Sequence, residues 1–237
     1  EIDMLPQALL RRSCLSNPTV LSISTCNQRN IFSADQLLEL DAITRRRAAP
    51  WLQPEGRLER GTRAGSFELQ RNLQSEDKVS VIIPFRNQAG LTRACVLSLL
   101  EHETTIPFEL ILVDNGSTEP EAINLAMSLT SSAQTLGVKV TGIRDDRPFN
   151  FSSLNNSARH LCTGNFLLFL NNDIRFESSA PLKHLLNPFA LRCTGAVGSR
   201  LIYEDGTIQH QGLVAAALQS HDILSVGKGL LPGLETD

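Results

Sequence analysis

At 237 residues with 41% hydrophobic side chains, the chain can bury one full core plus an extension, which points to one main domain rather than two equal ones. A formal net charge of -3 supplies no global attraction to nucleic acid or to an anionic membrane, so a charged ligand must be handled locally. No run approaches the roughly 20 apolar residues that span a bilayer, and the amino terminus lacks the basic start and apolar core of a signal peptide, so the chain reads as soluble and cytoplasmic, with room only for peripheral contact at the inner face of the membrane.

The chain starts at Glu1 and ends beyond Leu234 on no recognisable helix or strand stop, so it reads as a piece of a longer polypeptide. Its five cysteines, Cys14, Cys26, Cys95, Cys162 and Cys193, are odd in number and free of CxxC pairs, which fits reduced structural thiols rather than a disulfide or zinc framework. Composition divides the sequence near residue 76. Before it, short apolar groups alternate with Arg-rich and Pro-containing stretches, an irregular or helical extension. Ser33 and Gln36 resemble a capping box for a helix through about Thr44. Arg45 to Arg47 then read as a basic helix end facing solvent, or as a phosphate or partner contact. Residues 55–77, rich in Gly, Arg and Gln, read as a linker that wraps the main domain.

From residue 77 the pattern becomes regular. Val79 to Ile83 is a β-rich run stopped by Pro84, and Leu91 to Leu100 carries helical spacing. Phe108 to Val113 forms a second strand, after which Pro120 and Glu121 open a helix through about Ser131. Val138 to Ile143 is a third strand, and Ser152 can cap a helix that Gly164 ends. Phe166 to Leu170 is the fourth, apolar at every position, as strands buried on both faces are. This order predicts a doubly wound α/β fold, a mostly parallel Rossmann-like sheet flanked by helices. Asp205-Gly206, between Leu201 to Tyr203 and Thr207 to Gln209, predicts a hairpin at the far edge.

Open parallel sheets bind ligands beyond the carboxyl ends of their strands. Three polar clusters fall there: Pro84 to Asn87, Asp114 to Thr118, and Asn171 to Asp173. Asp114 can accept hydrogen bonds from a base or ribose, while Gly116 and Ser117 permit a tight turn with exposed N–H groups; an Asp-Asn-Gly-Ser turn chosen for its backbone angles is the plainer explanation. Asp173 follows a buried strand, where a carboxylate would be desolvated unless a cation or donor met it. Mg²⁺ or Mn²⁺ held by one or two side-chain oxygens and completed by phosphates and water fits that sparse supply; a helix cap or turn is the alternative. The dinucleotide GxGxxG, the P-loop, the GxSxG elbow and HExxH are all absent. His210, on the predicted hairpin arm, either lines the site or is structural.

The segments Val79 to Asn87, Leu112 to Thr118, Asp145 to Asn156, Gly164 to Asp173 and Gly195 to Gly212 resemble, in order and spacing, family 2 glycosyltransferases, and are most similar to bacterial members that build O-antigen and other surface polysaccharides. The resemblance covers about residues 78–215. It implies a glycosyltransferase A-type fold over 77–237, with 1–76 as an extension, and inverting transfer of a sugar from a nucleotide diphosphate-sugar donor to a glycan or lipid-linked acceptor. It matches Pro84, Phe85 and Asn87 to the loop on the nucleoside, Asp114 to the acid at base or ribose, Asn156 to an asparagine near the diphosphate, and Asp173 to the last acid of an Asp-x-Asp metal motif. Asn172 falls inside that motif and is grouped with the nucleotide contacts. Asn171 replaces the motif's first acid, which lowers the charge available to Mg²⁺ or Mn²⁺. The catalytic base is expected beyond Asp237, since Asp205, Asp222 and Glu235 lack supporting context. Two other functions fit less of the sequence: a non-catalytic sugar-nucleotide-binding or assembly module, and a nucleotidyltransferase, for which Pro84 to Gln88 is a poor triphosphate loop.

Overall fold

The computed structural model describes residues 8–11, 42, 45–46, 48–60, 67–192, 194–211, 213–215, 223–225 and 228–229. The expected Ser33 helix, Arg47, Cys14, Cys26, Cys193, Gly212, Asp222 and Glu235 lie outside the described residues. The elements run β1 (Ala8–Arg11), β2 (Gly56–Arg60), β3 (Phe67–Arg71), β4 (Val79–Phe85), α1 (Ala89–His102), β5 (Phe108–Asp114), α2 (Pro120–Ile123), α3 (Leu125–Gln134), β6 (Lys139–Arg144), α4 (Phe151–Ala158), β7 (Phe166–Phe169), α5 (Pro181–Leu186), β8 (Ala196–Gly198), β9 (Leu201–Ile202), β10 (Ile208–His210), β11 (Leu213–Ala215) and β12 (Ile223–Ser225).

The main sheet has the order β6-β5-β4-β7-β1-β8. Its first four strands are parallel, and β1 runs antiparallel to both its neighbours. The period of two along each strand sends alternate side chains to opposite faces. Val79, Val81 and Ile83 pack with Val96 and Leu99 of α1, Leu125 and Leu129 of α3, and Phe189. Ile82, Ile111, Val113 and Leu167 pack on the other face with Leu154 and Ala158 of α4. Every residue of β4 and β5 is buried, and each large apolar side chain so enclosed contributes about 1.5–3 kcal/mol.

Several boundaries depart from the sequence expectation for identifiable reasons. Strand β4 continues through Pro84 to Phe85. The β4–β7 ladder ends at Ile82 and Phe169, so the N–H that proline lacks would have met no strand there. The helix expected from Pro120 is two, α2 and α3, separated at Asn124. Asn150, not Ser152, caps α4: its side chain accepts the Ser153 N–H at 2.8 Å. Residues 201–210 do form the expected hairpin, with Gly206 at φ +85°, but it is a separate two-stranded sheet and not an edge of the main one.

The extension is not simply irregular or helical. It supplies β1 to the main sheet, and the stretch read as a linker contains the antiparallel pair β2–β3. Residues 42, 45, 46 and 48 are helical, with Arg45 and Arg46 exposed; Arg45 donates to the Leu58 carbonyl at 2.7 Å. Gly56 is required for close packing, because a Cβ there would stand 2.5 Å from the Ala190 carbonyl oxygen. Arg71, at the end of β3, pairs with Asp77 and lies 5.3 Å from the centre of the Phe166 ring. Both charged side chains are 2% exposed.

At the amino ends of the parallel strands, buried Glu109 accepts hydrogen bonds from Ser80 Oγ (2.7 Å), the Thr163 N–H (2.6 Å) and Thr163 Oγ (2.9 Å). Burial raises its pKa, but the Thr163 N–H, the Ser80 and Thr163 hydroxyls and the Lys78 charge together outweigh it and hold the carboxyl down at about 2. Glu109 is thereby a charged clamp on the Thr163–Gly164 turn that leads into β7.

Candidate functional site

Asparagine and aspartate side chains lace together the loops that leave β4, β5 and β6. In the turn after β5, Asp114 Oδ1 accepts the Ser117 N–H at 2.7 Å, and Gly116 occupies φ +69°, a region that favours glycine. Asn115 Nδ2 donates to the Asp145 and Arg147 carbonyls, both at 2.8 Å, reaching the loop after β6. Arg144 donates to Asp114 Oδ2 (2.8 Å), to the Ser117 carbonyl (3.1 Å) and to Asp146 Oδ1 (2.8 Å). The loop after β4 joins through Asn87, whose N–H donates to Ser117 Oγ at 2.7 Å and whose Oδ1 accepts the Thr118 N–H at 2.8 Å. Asn87 and Gln88 are left-handed, at φ +53° and +48°. Such a conformation persists where surrounding bonds over-determine it, here Asn87 with Ser117 and Thr118, and the Gln88 N–H with Glu119 at 3.0 Å.

Asn87, Asp114, Gly116 and Ser117 thus form one cluster, with Phe85 buried directly behind it at the level of Asp114. The plainer explanation of the Asp-Asn-Gly-Ser segment also holds, since Asp114 both closes its own turn and pairs with Arg144. Asp145 pairs with Arg147, whose side-chain hydrogen bonds pull its carboxyl down to about 2 against a smaller burial penalty.

Across β4, the chain leaves β7 through Asn171, Asn172 and Asp173. Because β4 lies between β5 and β7, the strands carrying the two acidic motifs are separated laterally by about 10 Å. Asn172 Nδ2 donates to Thr92 Oγ of α1 at 3.0 Å. The Cys95 thiol reaches the Asn171 carbonyl at 3.5 Å; burial, reinforced by the Asp173 charge and opposed by the Ile174 N–H, pushes it up to about 12, so it stays a neutral thiol. Asp173 itself is exposed, which corrects the argument that burial at the rim demands a cation. Among the described residues, no group of three or more His, Cys, Asp or Glu side chains could hold a metal. The donor set that fits is one exposed carboxylate, Asp173, with the half-buried amide of Asn171, suited to a hard cation that draws most of its ligands from phosphate and water.

The remaining candidates are less closely tied. Asn156 is exposed on α4. Its neighbour Asn155 is buried, donates to the Phe151 carbonyl at 2.8 Å and leaves Oδ1 without a partner among the described residues. His210 is half-buried on β10, with its pKa lowered by burial, and no hydrogen bond or ion pair described joins it to the three loops. Asp205 accepts the Thr207 N–H and hydroxyl within the hairpin turn, a structural role. A groove of about 660 Å³ between Lys78, Thr105, Leu136 and Lys139 lies at the opposite, amino-terminal end of the strands. Sequence reasoning gave no site role to Asn115, Arg144, Thr92 or Cys95: Asn115 was read only as part of the Asp-Asn-Gly-Ser turn and Cys95 only as a structural thiol.

A four-stranded parallel core extended by an antiparallel strand, flanked by helices on both faces and carrying acidic loops at its carboxyl edge, is the architecture of the glycosyltransferase A type. The description "Glycosyl transferase family 2" matches residues 80–214, and the chain belongs to that enzyme family. It is 34% identical over 148 residues to the O-antigen biosynthesis protein RfbC of Myxococcus xanthus, covering 62% of this chain and 11% of that protein. It is 37% identical over 94 residues to a PGL/p-HBAD biosynthesis glycosyltransferase of Mycobacterium bovis, covering 40% of this chain and 34% of that one. The chain therefore spans about a tenth to a third of the length of these relatives. Among solved structures, the mannosyltransferase PcManGT of Pyrobaculum calidifontis, in complex with GDP-Man and Mn²⁺, is similar at 19% identity and a TM-score of 0.40, over 65% of this chain and 40% of that one. No helix among the described residues is long and apolar enough to cross a membrane.

Proposed function

We propose that the loops after β4, β5 and β7 form the donor site of an inverting glycosyltransferase that moves a sugar from a nucleotide diphosphate carrier to a glycan or lipid-linked acceptor. The observation that carries this reading is the convergence of Asn87, Asp114 and Ser117 in one hydrogen-bonded cluster, one strand away from Asp173, at the edge of the sheet where such folds bind ligands. In this reading Pro84, Phe85 and Asn87 shape the wall against the nucleoside, Asp114 accepts from the base or ribose, and the Gly116 and Ser117 backbone bounds the pocket. Asn156 and Asn172 lie toward the diphosphate, and His210 is a further lining residue. Asp173, with Asn171, holds Mg²⁺ or Mn²⁺, which when bound neutralises charge on the departing diphosphate. The acceptor hydroxyl must lose its proton to a general base as it attacks.

The relative named for O-antigen biosynthesis supports surface polysaccharide as the product class. The same reading places the work in the cytoplasm at the inner face of the membrane, with residues 77–237 as the donor-binding unit and 1–76 as its extension. The test is calorimetric titration with nucleoside diphosphates, with and without Mn²⁺. The parent protein should bind one of them more tightly with Mn²⁺, and Asp173→Ala should lose that enhancement while keeping metal-free affinity. Equal Mn²⁺ dependence in the two proteins would place the ion elsewhere or on the nucleotide alone.

A further inference from the structure

One edge of α1 carries polar atoms at helical spacing, and all of them face the chain that leaves β7. Thr92 Oγ accepts from Asn172 Nδ2 at 3.0 Å, and the Cys95 thiol donates to the Asn171 carbonyl at 3.5 Å. One turn further, Ser98 Oγ accepts the Phe176 N–H at 3.2 Å. Beyond that, the His102 carbonyl accepts the Ala180 N–H at 2.8 Å and Glu103 Oε2 accepts the Leu182 N–H at 2.7 Å. Thr92 is 0% and Cys95 1% exposed, so these groups are committed to this contact and do not serve solvent. A helix packing only through apolar side chains would leave the segment free to shift along it, because apolar contact is non-directional. Hydrogen bonds at successive turns fix its register.

We infer that Thr92 and Cys95 are positioning residues for the metal-binding segment: they hold Asn171 and Asn172 so that the exposed carboxylate of Asp173 is presented at the carboxyl edge of the sheet in one geometry. The inference rests on the assignment of Asp173 to the metal made above. Asp173 makes no side-chain bond that would orient it among those described, so its placement depends on the two residues before it and on Ile174, half-buried against the core. Partners that orient a ligand from behind commonly govern metal affinity by roughly 10- to 100-fold.

The experiment measures the Mn²⁺ concentration dependence of nucleoside diphosphate affinity, and hydrogen exchange over residues 171–176, in the parent, Thr92→Val, Thr92→Ser, Cys95→Ala and Asp173→Ala. Thr92→Val should weaken the apparent Mn²⁺ affinity roughly 10-fold and speed exchange at 171–176, with a smaller loss of metal-free nucleotide affinity through the freed Asn172. Thr92→Ser, which keeps the hydroxyl, should restore most of both. Cys95→Ala should shift them in the same direction by less, and it carries the test if Thr92→Val does not fold. A parent without Mn²⁺ enhancement would overturn the metal assignment and this inference with it. Enhancement in the parent that persists undiminished in Thr92→Val, or in Cys95→Ala where that variant carries the test, would overturn the positioning role alone.

Discussion

Asp114→Ala is expected to weaken nucleoside diphosphate binding by roughly 10- to 150-fold, the equivalent of a charge-assisted hydrogen bond worth about 1.5–3 kcal/mol. Under the proposed donor site, that loss has two parts. Asp114 accepts from Ser117 and Arg144, so alanine removes both the nucleoside acceptor and the brace on the turn. Asp114→Asn keeps an oxygen for the Ser117 N–H but gives up the charge that faces Arg144, and should fall between the parent and the alanine variant. Isothermal titration of the folded variants distinguishes these outcomes, and unchanged affinity in Asp114→Ala would remove Asp114 from the donor site.

The largest stability effect is expected at the buried pair of Arg71 and Asp77. Removing Asp77 leaves the buried Arg71 charge with only Glu55, 3.7 Å away, and breaking such a buried pair commonly costs about 3–5 kcal/mol. Asp77→Ala should therefore lower the melting temperature by roughly 6–20 °C for a chain of this size. Arg71 Nε and Asp77 Oδ1 lack partners even in the intact pair, so the double change Arg71→Met, Asp77→Leu should recover much of the loss. Because Arg71 belongs to β3 and stacks on Phe166 of β7, the pair fastens the extension to the sheet. A single variant that melts with the parent would show that the hairpin contributes little to holding the fold.

The three inner parallel strands, β4, β5 and β7, were legible because they are largely apolar on both faces, a pattern that survives without knowledge of neighbours, whereas β6 at the edge has no buried residue. Phe108 to Val113 and Phe166 to Leu170 needed nothing else. The break at Asn124 was hidden because Leu125, Leu129 and Ala133 keep one helical stripe after it, in phase with the buried Ala122 before it. The β2–β3 hairpin did carry a signal, Leu58 between Arg57 and Glu59 and Leu69 between Glu68 and Gln70, but the Gly, Arg and Gln content around it outweighed that alternation. Within the site, the acidic turn residues could be named from the sequence, since position after a buried strand marks them. Thr92, Cys95 and Arg144 could not, because each acts across long sequence separation: Thr92 lies in a helix otherwise read for its apolar spacing, and Arg144 ends an edge strand. Their roles come from the packing of α1 on the β7 exit and of β6 beside β5.

The central claim is that the donor lies at the carboxyl edge of the sheet, and its most direct test is amide hydrogen exchange on the protein with and without a nucleoside diphosphate and Mn²⁺. Protection is expected over residues 85–88, 114–118 and 171–173. Protection confined to residues 103–107 and 136–139, beside the groove at the opposite ends of the same strands, would contradict the account.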